Sequence, residues 1–90
     1  MAKRIAVLAR ERQSEALRMA IGLTLRDDVV DVYVLDRPVE ATEDNALNLE
    51  TMKELKMQVF TNYKGSADMD YLSTREMAER LPGYDHIIAY

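Results

Sequence analysis

The 90-residue chain contains no cysteine, and that absence excludes more chemistry than any other feature. Disulfides, thiolate metal sites and any mechanism in which this chain itself carries a thiol or persulfide are out. Histidine occurs once, as His86, too little for a histidine-based metal site within one chain. Three glycines and two prolines leave little material for long disordered linkers. Positive charge is present in ordinary amount but outnumbered. Twelve Lys and Arg against sixteen Asp and Glu give a net charge of -4, the opposite of the basic face that a nucleic-acid binder presents. No apolar run approaches the ~20 residues needed to cross a membrane. Met1-Ala2-Lys3-Arg4 begins like a signal peptide, but the apolar run behind it is short and meets Arg10. The expectation is one cytoplasmic domain over residues 1–90, with no cofactor, no metal, no nucleic-acid partner and no membrane association.

What is present is a regular alternation of two patterns. Lys3 to Ala9 is a nearly continuous apolar run, the mark of a strand buried on both faces. From about Gln13 to Arg26, Leu17, Ala20, Ile21, Thr24 and Leu25 recur at helical steps. Ala16, Met19 and Leu23 add a second apolar strip to that helix, which fits either a helix sandwiched between sheet and loops or a subunit interface. Asp27-Asp28 breaks the pattern. Val29 to Leu35 is a β-branched second strand, ended by Asp36-Arg37-Pro38. A second helix runs from Glu43 or Asn45 to Lys56, capped by Thr42, with Leu47 or Leu49, Met52 and Leu55 on its buried side. Met57 to Thr61 is a third strand, followed by a turn-rich loop from Asn62 to Ser66. Ser73 and Glu76 stand at capping-box spacing before a third helix, Thr74 to Leu81. Leu72, Met77 or Ala78, and Leu81 face inward, and Pro82-Gly83 stops the helix. His86 to Tyr90 forms a fourth strand.

This β-α-β-α-β-α-β order with continuous strands predicts an α/β fold: a three-layer α/β/α sandwich on a four-stranded parallel sheet. The economical topology puts the first strand in the middle, in the flavodoxin-like order 2-1-3-4. Ligands in such sheets bind beyond the carboxyl ends of the strands, where the order reverses. The residues there are Arg10, Arg12, Ser14, Asp36, Arg37, Asn62, Tyr63 and Lys64, with Tyr90 and its carboxylate. Their cations, beside the start of the first helix, suit a small anion. The standard motifs are missing. Neither G-x-G-x-x-G nor G-x-x-x-x-G-K-[ST] occurs, no serine lies in a nucleophile elbow, and Glu11 is the one acid in the first loop. His86 is read as structural or exposed, and Asp68, Asp70 and Asp85 as solvated loop acids without the spacing of a calcium loop.

One family fits the frame. Glu15-Ala16-Leu17-Arg18-Met19-Ala20 in the first helix and Val32-Tyr33-Val34-Leu35 in the second strand are followed by Met57-Gln58-Val59-Phe60 in the third. The close is Glu76-Met77-Ala78-Glu79-Arg80-Leu81 and Tyr84-Asp85-His86-Ile87-Ile88-Ala89-Tyr90. Together they resemble the DsrE/DsrF/TusD-like sulfur-relay proteins. The resemblance implies a compact three-layer fold, oligomeric assembly, and in active members a persulfide on a cysteine in the loop after the third strand. The matching region here, Thr61-Asn62-Tyr63-Lys64, has none, so relay activity does not carry over. The expected function is that of a non-catalytic oligomeric or partner subunit, a homo-oligomer or a hetero-oligomer with related subunits, with Ala16, Met19 and Leu23 at its interface. The alternative is a protein that binds a small anionic or nucleotide-type ligand at the strand ends.

Overall fold

The computed structural model describes residues 3–26, 29–64 and 69–89. Asp27-Asp28, Gly65-Ser66, Asp68 and Tyr90, which figure in the sequence reading, lie outside them. The elements are β1 (Arg4–Ala9), α1 (Gln13–Thr24), β2 (Val29–Val34), α2 (Glu43–Glu54), β3 (Gln58–Thr61), β4 (Asp70–Tyr71), α3 (Thr74–Arg80), a 3-10 turn (Leu81–Gly83) and β5 (His86–Ala89). The caps of α2 and α3 are those the sequence indicates, whereas α1 starts after Arg12 with no side-chain cap. Thr42 accepts from the Asn45 N–H, and Ser73 and Glu76 complete a reciprocal capping box.

All five strands are parallel and form one sheet in the order β4-β3-β2-β1-β5. This corrects the expected topology in two ways. The segment between β3 and α3 holds an additional strand of two residues, too short and too polar to leave a periodic signal. And β3 pairs with β2, not with β1, whose other neighbour is β5.

Handedness explains where the helices then lie. Successive right-handed crossovers running in one direction put their helices on one face of a sheet, and a reversal puts the next helix on the other. The chain steps from β1 to β2 to β3 one way, so α1 and α2 share a face. Ile5, Val7 and Ala9 pack there with Val30, Val32 and Val34 against Ala16, Leu17, Ala20 and Met52. The return to β5 beyond β1 puts α3 on the opposite face, where Ala6, Tyr33, Phe60, Met77 and Tyr84 form a second core. The three layers are therefore two helices, the sheet, and one helix.

The second core is built around a charge. Asp31 sits in the interior of β2 and is buried. The Tyr84 hydroxyl donates to its Oδ2 at 2.5 Å, and the Tyr33 hydroxyl lies 2.7 Å from that of Tyr84. A phenol has one proton to give, so Tyr33 donates to Tyr84 and Tyr84 to Asp31. Tyr33 packs its ring 5.1 Å from Phe60 and edge-on to Tyr84, while the Arg4 and Arg80 guanidiniums lie over the Tyr84 and Phe60 rings. Burial, and then the bond to Asp31, push the Tyr84 phenol well above the usual tyrosine value.

Replacing Tyr84 with Phe is expected to cost about 1–3 kcal/mol in urea unfolding, because a buried carboxylate loses its donor. The raised phenol also sets a sign. Its contribution is present in full below the unfolded-state value of ~10 and is lost as pH climbs above it. Wild-type stability should fall with pH in that alkaline range, and Tyr84→Phe should lose that part of the slope.

Candidate functional site

The carboxyl rim of the sheet gathers side chains from three strands and one helix. Arg10 follows β1, Asp36 lies just past β2, Asn62 just past β3, and Thr74 opens α3. Asn62 joins them. Its Oδ1 accepts from the Asp36 N–H at 2.7 Å, and its Nδ2 donates to Asp36 Oδ1 and to Thr74 Oγ1, both at 3.1 Å. Arg10 Nε stands 3.9 Å from the other Asp36 oxygen. The backbone of Asp36 is left-handed, with φ of 66°. Aspartate tolerates that region better than most residues, and the two-point grip of Asn62 holds it there. The β1–β2 ladder runs one step further, as Leu35 N–H donates to Ala9 O at 2.9 Å.

The remaining rim residues do not join this cluster. Arg12 and Ser14 line a groove of about 360 Å³ between the starts of α1 and α2, together with Glu11, Glu15, Glu40 and Asp44. Buried Gln13 straps its floor: Nε2 donates to Pro38 O at 3.0 Å, and Oε1 accepts from the Glu40 N–H at 2.9 Å. Arg37 is exposed on the turn after Asp36. Tyr63 is exposed, its N–H held by Thr61 Oγ1 at 3.0 Å, and Lys64 Nζ lies 5.9 Å from the Tyr71 ring centroid.

The electrostatics differ from the expected electropositive rim. Arg10 faces Asp36, Arg12 lies 3.9 Å from Glu15, and Lys64 sits over an aromatic ring. The groove beside Arg12 carries more carboxylates than cations. With the strand order as it is, the reversal falls between β1 and β5, so Asn62, Tyr63 and Lys64 stand on the far side of β2 from it.

Neither cluster brings a nucleophile to a base. Ser73 is consumed by its cap, and His86 begins β5, at the opposite end of the sheet from the rim. No group of three or more His, Asp or Glu that could hold a metal ion occurs among the described residues. Of the interface candidates, Ala16 is enclosed in the first core and is not available at the surface of a single chain, whereas Met19 is 37% exposed and Leu23 half-buried at the margin of that core. A further groove of about 480 Å³, which sequence patterning does not reveal, separates α2 from β3, with Leu49, Met57 and Val59 along its wall and Lys53 and Asp70 at its mouth.

No helix among the described residues is long and apolar enough to cross a membrane. No family model matches the chain, and neither a curated protein nor a solved structure matches it.

Asn62→Ala is expected to destabilise the chain by about 1–2 kcal/mol in chemical denaturation, since it removes the grip on a left-handed Asp36. Asp36→Gly introduced into that variant should recover part of the loss, because glycine adopts the same φ without cost.

Proposed function

We propose that the chain is a non-catalytic subunit of the DsrE-like kind, which assembles with copies of itself or with related subunits and carries no sulfur. The observation that carries this reading is the state of Asn62. It occupies the loop after β3 where the resemblance calls for a persulfide-bearing cysteine, and both of its amide atoms are committed to holding Asp36 and Thr74. A loop used this way positions backbone and presents no reactive atom. The exposed apolar side chains supply the other half. Leu47 on α2 and Ile87 on β5 are well exposed in the single chain, and apolar surface of that kind is what subunit contacts cover. A role in sulfur metabolism would then lie in scaffolding or pairing.

A second reading, a small anionic ligand at the rim, is favoured by the left-handed Asp36, since backbone strain collects at ligand sites. An anion there must displace Asp36 from Arg10 or Glu15 from Arg12.

Light scattering on the eluting protein tests the first reading: it expects a mass above that of one chain, or a related subunit retained through purification, and a strict monomer with no retained subunit counts against it. If α1 is the contact, Met19→Glu with Leu23→Glu should dissociate the assembly. The second reading expects phosphate, sulfite or a nucleotide to raise the melting temperature, by the equivalent of ~2.7 kcal/mol at a hundredfold excess over the dissociation constant. It expects Arg10→Ala to abolish the shift.

A further inference from the structure

The two edges of the sheet are built differently. β4 is two residues long, contains Asp70, and has Lys64 held over its Tyr71 ring. A short, charged edge is how sheets avoid adding a further strand. β5 has none of these protections. Its four residues, His86–Ala89, include no proline, lysine, aspartate or glutamate, and Ile87 is 49% exposed.

The direction of its free backbone groups follows from the ladder. Val29 N–H donates to Lys3 O and Leu35 N–H to Ala9 O, while Asp85 N–H donates to Arg4 O. Odd-numbered residues of β1 thus turn toward β2 and even-numbered ones toward β5. In a parallel ladder the N–H and C=O of one residue point to the same side. With Ala6 opposite Ile87 and Leu8 opposite Ala89, the β5 residues turned inward are His86 and Ile88. Ile87 and Ala89 hold their N–H and C=O groups outward.

We propose that β5 pairs antiparallel with β5 of a second copy, joining two sheets into one across a two-fold axis normal to the sheet. This inference rests on the subunit reading above and names the surface that a second copy uses. Such an axis keeps the α3 faces on the same side, so only residues of the same side-chain face can stand opposite one another. The register centred on Ile88 meets that condition. Ile87 then stands opposite Ala89 of the other copy, and the outward N–H and C=O groups of both residues are used on both copies. The Ile87 side chain, on the same face as Ala6 and Leu8 but itself 49% exposed, is covered by the opposing alanine. Charge favours this meeting as well. Each copy has a net charge of -4, yet β5 brings no carboxylate or ammonium to the seam, so no like charges face each other there. A strand this short buries less than the ~1,200–2,000 Å² of a stable interface, which makes the dimer dependent on concentration.

Sedimentation equilibrium from dilute to concentrated solution tests this on the full chain, with three variants. Ile87→Lys places two ammonium groups at the seam. Ala89→Pro removes an outward N–H without touching the β1 ladder, a position where an edge strand accepts proline. Met19→Glu alters α1 alone. The wild type should show a reversible monomer–dimer equilibrium. Ala89→Pro should raise its dissociation constant about tenfold or more, the scale of two lost hydrogen bonds. Ile87→Lys should raise it by burying an ammonium on each side of the seam. Both should keep an unchanged circular-dichroism spectrum, and Met19→Glu should leave the dissociation constant as it was. Dimers that persist in both β5 variants but dissolve in Met19→Glu would overturn the edge pairing and leave the subunit reading standing. A wild type that stays monomeric at every concentration overturns the self-pairing. If it also retains no related subunit, the subunit reading falls with it.

Discussion

The rest of this structure depends on one buried carboxylate. Asp31 stands in the middle of a strand whose other core positions are Val30, Val32, Tyr33 and Val34. An unpaired charge in that setting costs several kcal/mol. Its donor, Tyr84, comes 53 residues later, on the segment that returns the chain to the far side of β1. A β5 placed beside β3 would leave that carboxylate without its tyrosine. The Tyr33–Tyr84–Asp31 hydroxyl chain therefore ties the last third of the chain to its second strand and gives the fold a reason to reverse where it does.

That reversal decides what the rim can be. Because α1 and α2 share a face, the loops behind them meet each other and are strapped together by Gln13 and Asn45, which hold the 38–42 segment through its backbone. Because α3 lies on the other face, its first residue, Thr74, comes within reach of Asn62 and Asp36. The rim is thus divided into two polar clusters on opposite sides of the sheet. The Asn45 side chain is only half used, since its Nδ2 donates to Glu40 O while its buried Oδ1 has no partner, and neither cluster collects the cations into one place.

Much of the local structure is legible in the sequence, because it rests on short-range rules. The apolar run of β1, the β-branched run of β2, the Thr42 cap and the Ser73–Glu76 capping box all lie where spacing puts them. The end of α2 is less so: the helix stops at Glu54, and Lys56, with φ of 58°, takes the left-handed turn more often given to glycine. Strand order is not legible at all. It depends on a long-range pairing between an aspartate in an apolar strand and one of five tyrosines, and periodicity carries no record of that. The rim shows the same limit. Arg10, Asp36 and Asn62 are readable as strand-end residues and do come together. What composition does not reveal is that Asp36 would turn left-handed, or that Thr74 would complete the cluster.

The positions of the polar groups also bear on the proposed pairing through β5. Its most demanding hydrogen-bonding atoms, those of Asp31, Gln13 and Asn62, have their principal partners inside the fold, as do the backbone groups of the three inner strands. Apart from the buried Asn45 Oδ1 and Asn48 Nδ2, which have no hydrogen-bond partner, capacity remains on the backbone of the outer strands. β4 is short and charged, while β5 is longer, contains no Lys, Asp or Glu, and exposes Ile87 within its run. A chain that uses its side-chain chemistry to hold its own shape retains one strong and general means of recognition, the outward N–H and C=O groups of an edge strand. That is the physical ground on which the pairing is proposed at the backbone of β5 and not at a side chain of the rim.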